Sequence, residues 1–158
     1  MSTITLPQIL TIPEAPAIPG LVFRLFQGEA DYPLIVEVMN RCNIHDGLDI
    51  IDTVEDITVR FAHPSNYDPY QDVFIAEVNG EAVCYGQVLW GDEPSGERIY
   101  SLFWYLVPEW RGTVTEGIYS NDANTGVTSI GLAMQVHCER RIRQIASQQP
   151  GNMPRLMQ

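Results

Sequence analysis

Lysine is absent from this chain: all nine of its basic residues are arginines. Cysteine is scarce as well, with Cys42, Cys84 and Cys138 far apart and set among apolar neighbours. Three such residues make neither a CxxC metal or redox site nor a disulfide framework, so buried, reduced thiols are expected. His45, His63 and His137 share no metal-ligand spacing with one another or with a cysteine, and no metal is expected. Long apolar runs are missing too. The strongest, Leu102 to Val107, falls far short of the roughly 20 residues that span a bilayer. No basic region precedes an apolar core at the N-terminus, so neither membrane nor export is expected, and the default location is the cytoplasm.

What is present is a globular composition, 45% apolar and 18% charged over 158 residues, enough for one domain with a core. The net charge of −11 is unevenly spread. Residues 1–110 hold 17 acidic side chains against 4 arginines, whereas residues 111–158 hold 3 against 5. So acidic a body repels nucleic acid and anionic membranes. It directs an anionic ligand to the C-terminal third and a cationic amine to the remainder.

Residues 1–20 carry prolines at 7, 13, 16 and 19, which exclude helix and favour an extended arm. Leu21–Gln27 alternates as an edge or half-buried strand. In EADYPLIVEVMNRCN, Asp31 is a candidate N-cap, Pro33 suits the first turn, and Leu34, Ile35, Val38, Met39 and Cys42 form one helical stripe. A second helix starts at the capping-box sequence Thr53-Val-Glu-Asp56, with Val54, Ile57 and Phe61 as its buried side. The acidic HDGLDIIDTVED between the helices lacks calcium-loop spacing and reads as a solvated, substrate-side loop.

DVFIAEVNGEAVCYGQVLW is a hairpin closed by Asn79-Gly80, and Gly86 within it marks a bulge or a close backbone neighbour. GDEPSGE turns the chain into a third strand, RIYSLFWYLV. From Ile130 the period becomes helical: Ile130, Met134, Cys138, Ile142 and Ile145 share a face, opposite Glu139, Arg140, Arg143 and Gln144. The order β-α-α-β-β-β-α gives an α+β domain over residues 21–158, with helices on a mostly antiparallel sheet.

That order, together with VNGEAVCYGQVLW, FWYLVPEWRG and SIGLAMQVHCERRIRQIA, resembles the GNAT N-acetyltransferase family from about Leu21 to Gln149. The family motif R/Q-x-x-G-x-G/A lies between a strand and a helix. Here Arg111-Gly112 is similar to its start and Ile130-Gly131 to its end, with Ser129 where the middle glycine would stand. A pyrophosphate needs converging N–H donors, close backbone approach and positive charge, which glycines, a helix N-terminus and an arginine supply. The resemblance implies acetyl-CoA as co-substrate, held by Arg111, Gly112, Ser129, Ile130 and Gly131. It also implies pantetheine pairing with the backbone of Tyr105 and Leu106. The acetyl group would pass directly to an amine, helped by a base that reaches it, usually through water. Glu97, Tyr100 and Tyr105, on or beside the key strand, are the catalytic candidates.

Two features depart from the family pattern. Residues 113–129 separate Gly112 from Ile130, where the compact motif leaves only two, so an inserted loop is expected there. The family continues with further strands and a helix, whereas here GNMPRLMQ could at most begin a fifth strand. The C-terminal strands are therefore expected to be absent and the apolar strand SLFWYLV to present a bare edge. A second copy, or the remainder of a longer chain, would cover that edge. A non-catalytic GNAT-derived domain acting through such association is the alternative reading.

Overall fold

The computed structural model describes residues 8–111, 129–151 and 155–158. Its sheet has six strands in chain order. These are β1 (Ile9–Leu10), β2 (Leu21–Leu25), β3 (Val73–Val78), β4 (Glu81–Asp92), β5 (Arg98–Leu106) and β6 (Arg155–Met157). All neighbours are antiparallel except β5 and β6. Helices α1 (Tyr32–His45), α2 (Val54–Ala62) and the single turn α3 (Pro69–Asp72) lie between β2 and β3, and α4 (Ile130–Ser147) follows β5. The expected order of strands and helices is present, with a short strand added at each end and the single turn α3 before β3.

The additions change the edges. Ile9 and Leu10 pair with Arg24 and Phe23, so of the two readings of β2, edge or half-buried, the second is the one found. At the other side Arg155, Leu156 and Met157 run parallel to Arg98, Ile99 and Tyr100. The last residues thus form the beginning of a further strand, as much as GNMPRLMQ was expected to supply.

Local chemistry explains most of the elements. Asn79 and Gly80 close the β3–β4 hairpin with φ of 50° and 82°, both left-handed, as a type I′ turn requires. Thr53 and Asp56 form the full capping box at the start of α2. Val54, however, is exposed, and Ile57 and Phe61 alone bury that helix. Asp31 does not cap α1. It closes a preceding 3-10 turn, Glu29–Asp31, and its carboxylate goes to Arg24 and the Gln27 N–H instead. A bulge places Val83 between the pairs Ala76↔Cys84 and Glu77↔Ala82.

Gly86 serves α4 rather than the bulge. A Cβ there would lie 2.6 Å from Met134 Sδ, so the glycine lets the Met134 side chain pack directly on the strand. Ile130, Met134, Cys138 and Ile142 bury the expected stripe of α4 against β4 and β5. Helices α1 and α2 cover the other face, chiefly through Ile35, Val38, Met39, Cys42, Ile57 and Phe61. All three cysteines are buried free thiols.

Candidate functional site

The register of β5 decides which of its backbone groups face outward. Val107 N–H donates to Val83 O at 3.0 Å, and Tyr85 lies opposite Tyr105 in an unbroken ladder. Antiparallel pairs alternate between hydrogen-bonded and not. Tyr105 therefore gives both its N–H and its C=O to β4, while Trp104 and Leu106 point theirs to the other side. On that side β6 pairs only with Arg98–Tyr100, after which Leu102 N–H donates to Gln158 O at 3.0 Å. Beyond Leu102, no strand of the described residues lies beside β5. The groups aimed at this open edge are Trp104 N–H, Trp104 C=O and Leu106 N–H; the sequence reading named Tyr105 and Leu106, so Trp104 takes the place of Tyr105.

The Leu106 carbonyl is already engaged. Arg111 Nε donates to it at 2.8 Å and Cys42 Sγ at 3.2 Å. A 3-10 turn, Pro108–Trp110, folds the chain back so that Arg111 can do this. The guanidinium also grips Asp46, after α1, at 2.6 and 3.2 Å. That pairing raises the Arg111 pKa and lowers that of Asp46. Gly112 and residues 113–128, which include all of the expected insertion except Ser129, lie outside the described residues.

The start of α4 reaches the same strand by another route. Ser129 caps the helix, its hydroxyl accepting from Leu132 N–H at 3.0 Å. Gly131 is pressed against Trp104, and a Cβ there would fall 2.7 Å from the indole. Its lack of a side chain therefore has a packing reason, closing helix onto strand. Ile130 is buried beneath the same turn. Both halves of the suspected motif thus anchor on the last residues of β5, Ser129–Gly131 through Trp104 and Arg111 through Leu106.

The three catalytic candidates separate along β5. Glu97 lies in the turn before β5. At about 3.3 Å per residue that is roughly 30 Å from Leu106. Tyr100 is buried on the α4 side, where its hydroxyl donates to Gln149 Oε1 at 2.5 Å. Only Tyr105 stands near the open end, stacked at 6.2 Å on Tyr85. Burial raises its pKa, and the Asp52 carboxylate raises it further.

Asp52 is a residue the sequence reading missed as an individual, although its loop was read as substrate-side. Asn40 holds it by both backbone groups, accepting from Asp52 N–H at 2.9 Å and donating to Asp52 O at 2.8 Å. Its side chain meets Arg60 at 3.3 Å. Beside this pair an open cleft of about 380 Å³ lies over β4 and β5, lined by Arg60, Tyr67, Gln87, Leu89 and Phe103. The arginines of α4 are committed elsewhere: Arg140 to Glu14, Arg141 to Asp72, and Arg143 loosely to Glu139.

No family model matches the chain, and no curated protein matches it. Solved structures do. A GCN5-related N-acetyltransferase from Sphaerobacter thermophilus superposes with a TM-score of 0.57 at 19% identity, over 82% of this chain and 34% of that one. The fold is a GNAT fold. This chain spans about a third of the length of the Sphaerobacter protein. A predicted acetyltransferase with acetyl-CoA from Clostridium acetobutylicum gives 0.50 at 19% identity, over 87% of this chain and 80% of that one. On this GNAT fold, among the described residues, no helix is long and apolar enough to cross a membrane. No group of three or more His, Cys, Asp or Glu side chains among them is placed to hold a metal.

Proposed function

We propose that the chain is an acetyl-CoA-dependent N-acetyltransferase domain that passes an acetyl group directly to an amine. The observation that carries this reading is the open edge of β5. There Trp104 and Leu106 present backbone donors and an acceptor to one side, next to the capped N-terminus of α4. An extended amide chain such as pantetheine would pair with those groups as an added strand. An N–H of this edge would hold the thioester oxygen as it gains charge. The acceptor enters over the opposite face of the strand, where Tyr105 and Asp52 stand. Asp52, aligned by Asn40, takes the amine proton through water, and Tyr105 stays protonated as a donor. The amine nitrogen forms the new C–N bond, the C–S bond breaks, and the thiol leaves with a proton. Arg111 is the cationic partner for the phosphates and must exchange Asp46 for them, since that carboxylate now occupies its fork.

The same ion pair supports the alternative, a GNAT-derived domain that associates with a partner and carries no cofactor. Thermal unfolding with acetyl-CoA separates the two. At about 100 times its dissociation constant a ligand stabilises by about 2.7 kcal/mol. A rise in Tm and thiol release on addition of amines are expected, and no rise at millimolar acetyl-CoA leaves only the association reading. Asp46→Asn frees Arg111 and is expected to tighten acetyl-CoA binding several-fold. Unchanged binding would remove Arg111 from the phosphate site.

A further inference from the structure

The cleft over β4 and β5 has a chemistry that no part of the transfer reaction requires. Gln87 in its floor is 3% exposed, deep for a carboxamide. Its Oε1 accepts the Tyr85 hydroxyl at 2.5 Å. Its side chain also interacts with the Tyr67 hydroxyl on the cleft wall, so the carboxamide lines the cleft between two tyrosines. Arg60 stands beside it and, among the described residues, its guanidinium bonds Asp52 alone, at 3.3 Å, with one of its five donors. His63 and Ser65 also line the cleft, and Leu89 and Phe103 form an apolar wall. Among the described residues no carboxylate lines the cleft, although the chain carries 20 acidic side chains.

The exposed guanidinium of Arg60 and the Gln87 carboxamide beside an apolar wall fit a carboxylate joined to an apolar spacer. From Phe103, three residues of strand lead to Leu106 at the open end, about 10 Å at a strand's rise. We infer that the acyl acceptor is a small ω-amino carboxylate. Gln87 and Arg60 hold its carboxylate, Phe103 and Leu89 flank its spacer, and its amine reaches past Tyr105 toward the end of β5. An α-amino acid is too short to join the two places, and a diamine would bring a cation to the donors. This inference rests on the acetyltransferase reading for the direction of the amine, but the carboxylate site is measurable without acetyl-CoA.

Calorimetric titration of the whole chain with aminohexanoate and with hexylamine, without acetyl-CoA, tests it. Aminohexanoate is expected to bind at least about tenfold tighter than hexylamine, a difference of about 1.4 kcal/mol. Arg60→Gln, an exposed change that the fold tolerates, is expected to remove most of that preference. Gln87→Glu places an anion in the floor and is expected to reverse it, so that hexylamine binds better; a merely structural Gln87 would not invert specificity. Equal binding of the two probes, no binding of either, or an unchanged preference in Arg60→Gln overturns the inference, whether or not the Gln87 variant folds. The thermal shift with acetyl-CoA is read separately. Carboxylate binding with no acetyl-CoA shift ends the acetyltransferase reading and keeps the site, and the opposite pair of results does the reverse.

Discussion

Arg24 is the clearest case of a single side chain on which its neighbourhood depends. It is buried on β2, bonded to both Asp31 oxygens at 2.9 and 2.8 Å and to Glu77 at 3.0 Å. Asp31→Ala removes the fully buried partner and leaves Arg24 with the part-exposed Glu77 alone, so a cost of about 3 kcal/mol is expected in urea unfolding. A cost under about 1 kcal/mol would mean that water reaches the site. His137 gives a pH effect at the same scale. Packed edge-on against Phe74 at 4.5 Å, with Arg140, Arg141 and Glu14 around it, it has a pKa held down by burial and then by the two arginines. A depressed histidine resists protonation in the folded chain alone. Its contribution is therefore intact above its ordinary pKa of 6.5 and is lost as pH falls through that value toward the folded one. The urea midpoint is expected to drop between about pH 7.5 and about pH 5.5, and His137→Phe to flatten that drop. An equal slope in the variant would assign the effect to other groups.

Between elements, the contact of α4 with the sheet rests on two glycines that meet large side chains, Gly86 under Met134 and Gly131 under Trp104. They differ in what can give way. Met134 is flexible at the clashing end, whereas the Trp104 indole is a rigid plane that can move only as a whole. In Gly131→Ala two effects oppose each other: helix propensity favours alanine by up to about 1 kcal/mol, and overpacking costs about 1–3 kcal/mol. Because a rigid ring must shift as a whole to make room, overpacking is expected to outweigh propensity and the variant to be less stable. Adding Trp104→Phe to that variant is expected to restore part of the loss, a coupling that a double-mutant cycle reads directly. Simple additivity would show that helix and strand do not meet there. The same contact sets how near the α4 N-terminus lies to the open groups of β5, so a change in acetyl-CoA affinity should accompany it.

At the scale of the molecule, the proline arm is part of the sheet. Through β1 it covers the edge of β2, with Ile12 buried in the core and Glu14 paired to Arg140 on α4. Removing residues 1–20 strips that cover and bares a strand edge. The shortened chain is expected to unfold at lower urea and to associate in light scattering. A monomer of unchanged stability would show that the arm contributes nothing. Charge acts at this scale too. The molecule carries −11 overall, yet among the described residues the cleft is lined by Arg60 and by no carboxylate, so the amine and the carboxylate of a zwitterion are drawn to different places.

The chain's own chemistry determined the elements, because each signal is local. Asn79-Gly80 specifies its hairpin, Thr53 and Asp56 their helix start, and the stripe from Ile130 to Ile142 a helix face, each within a few residues. Where a side chain had a choice of distant partners, only the tertiary structure decided. Asp31 left its cap for Arg24, Arg111 went to Asp46, and Gly131 proved to be a packing glycine. The open backbone of β5 belongs to Trp104 and Leu106 because the register with β4 fixes the alternation, and register is a property of two strands together. Asp52, Arg60 and Gln87 come from two elements and the loop before α2, and no spacing in the sequence links them. Periodicity reports which face of an element is buried; only packing brings residues remote in the chain to one cleft.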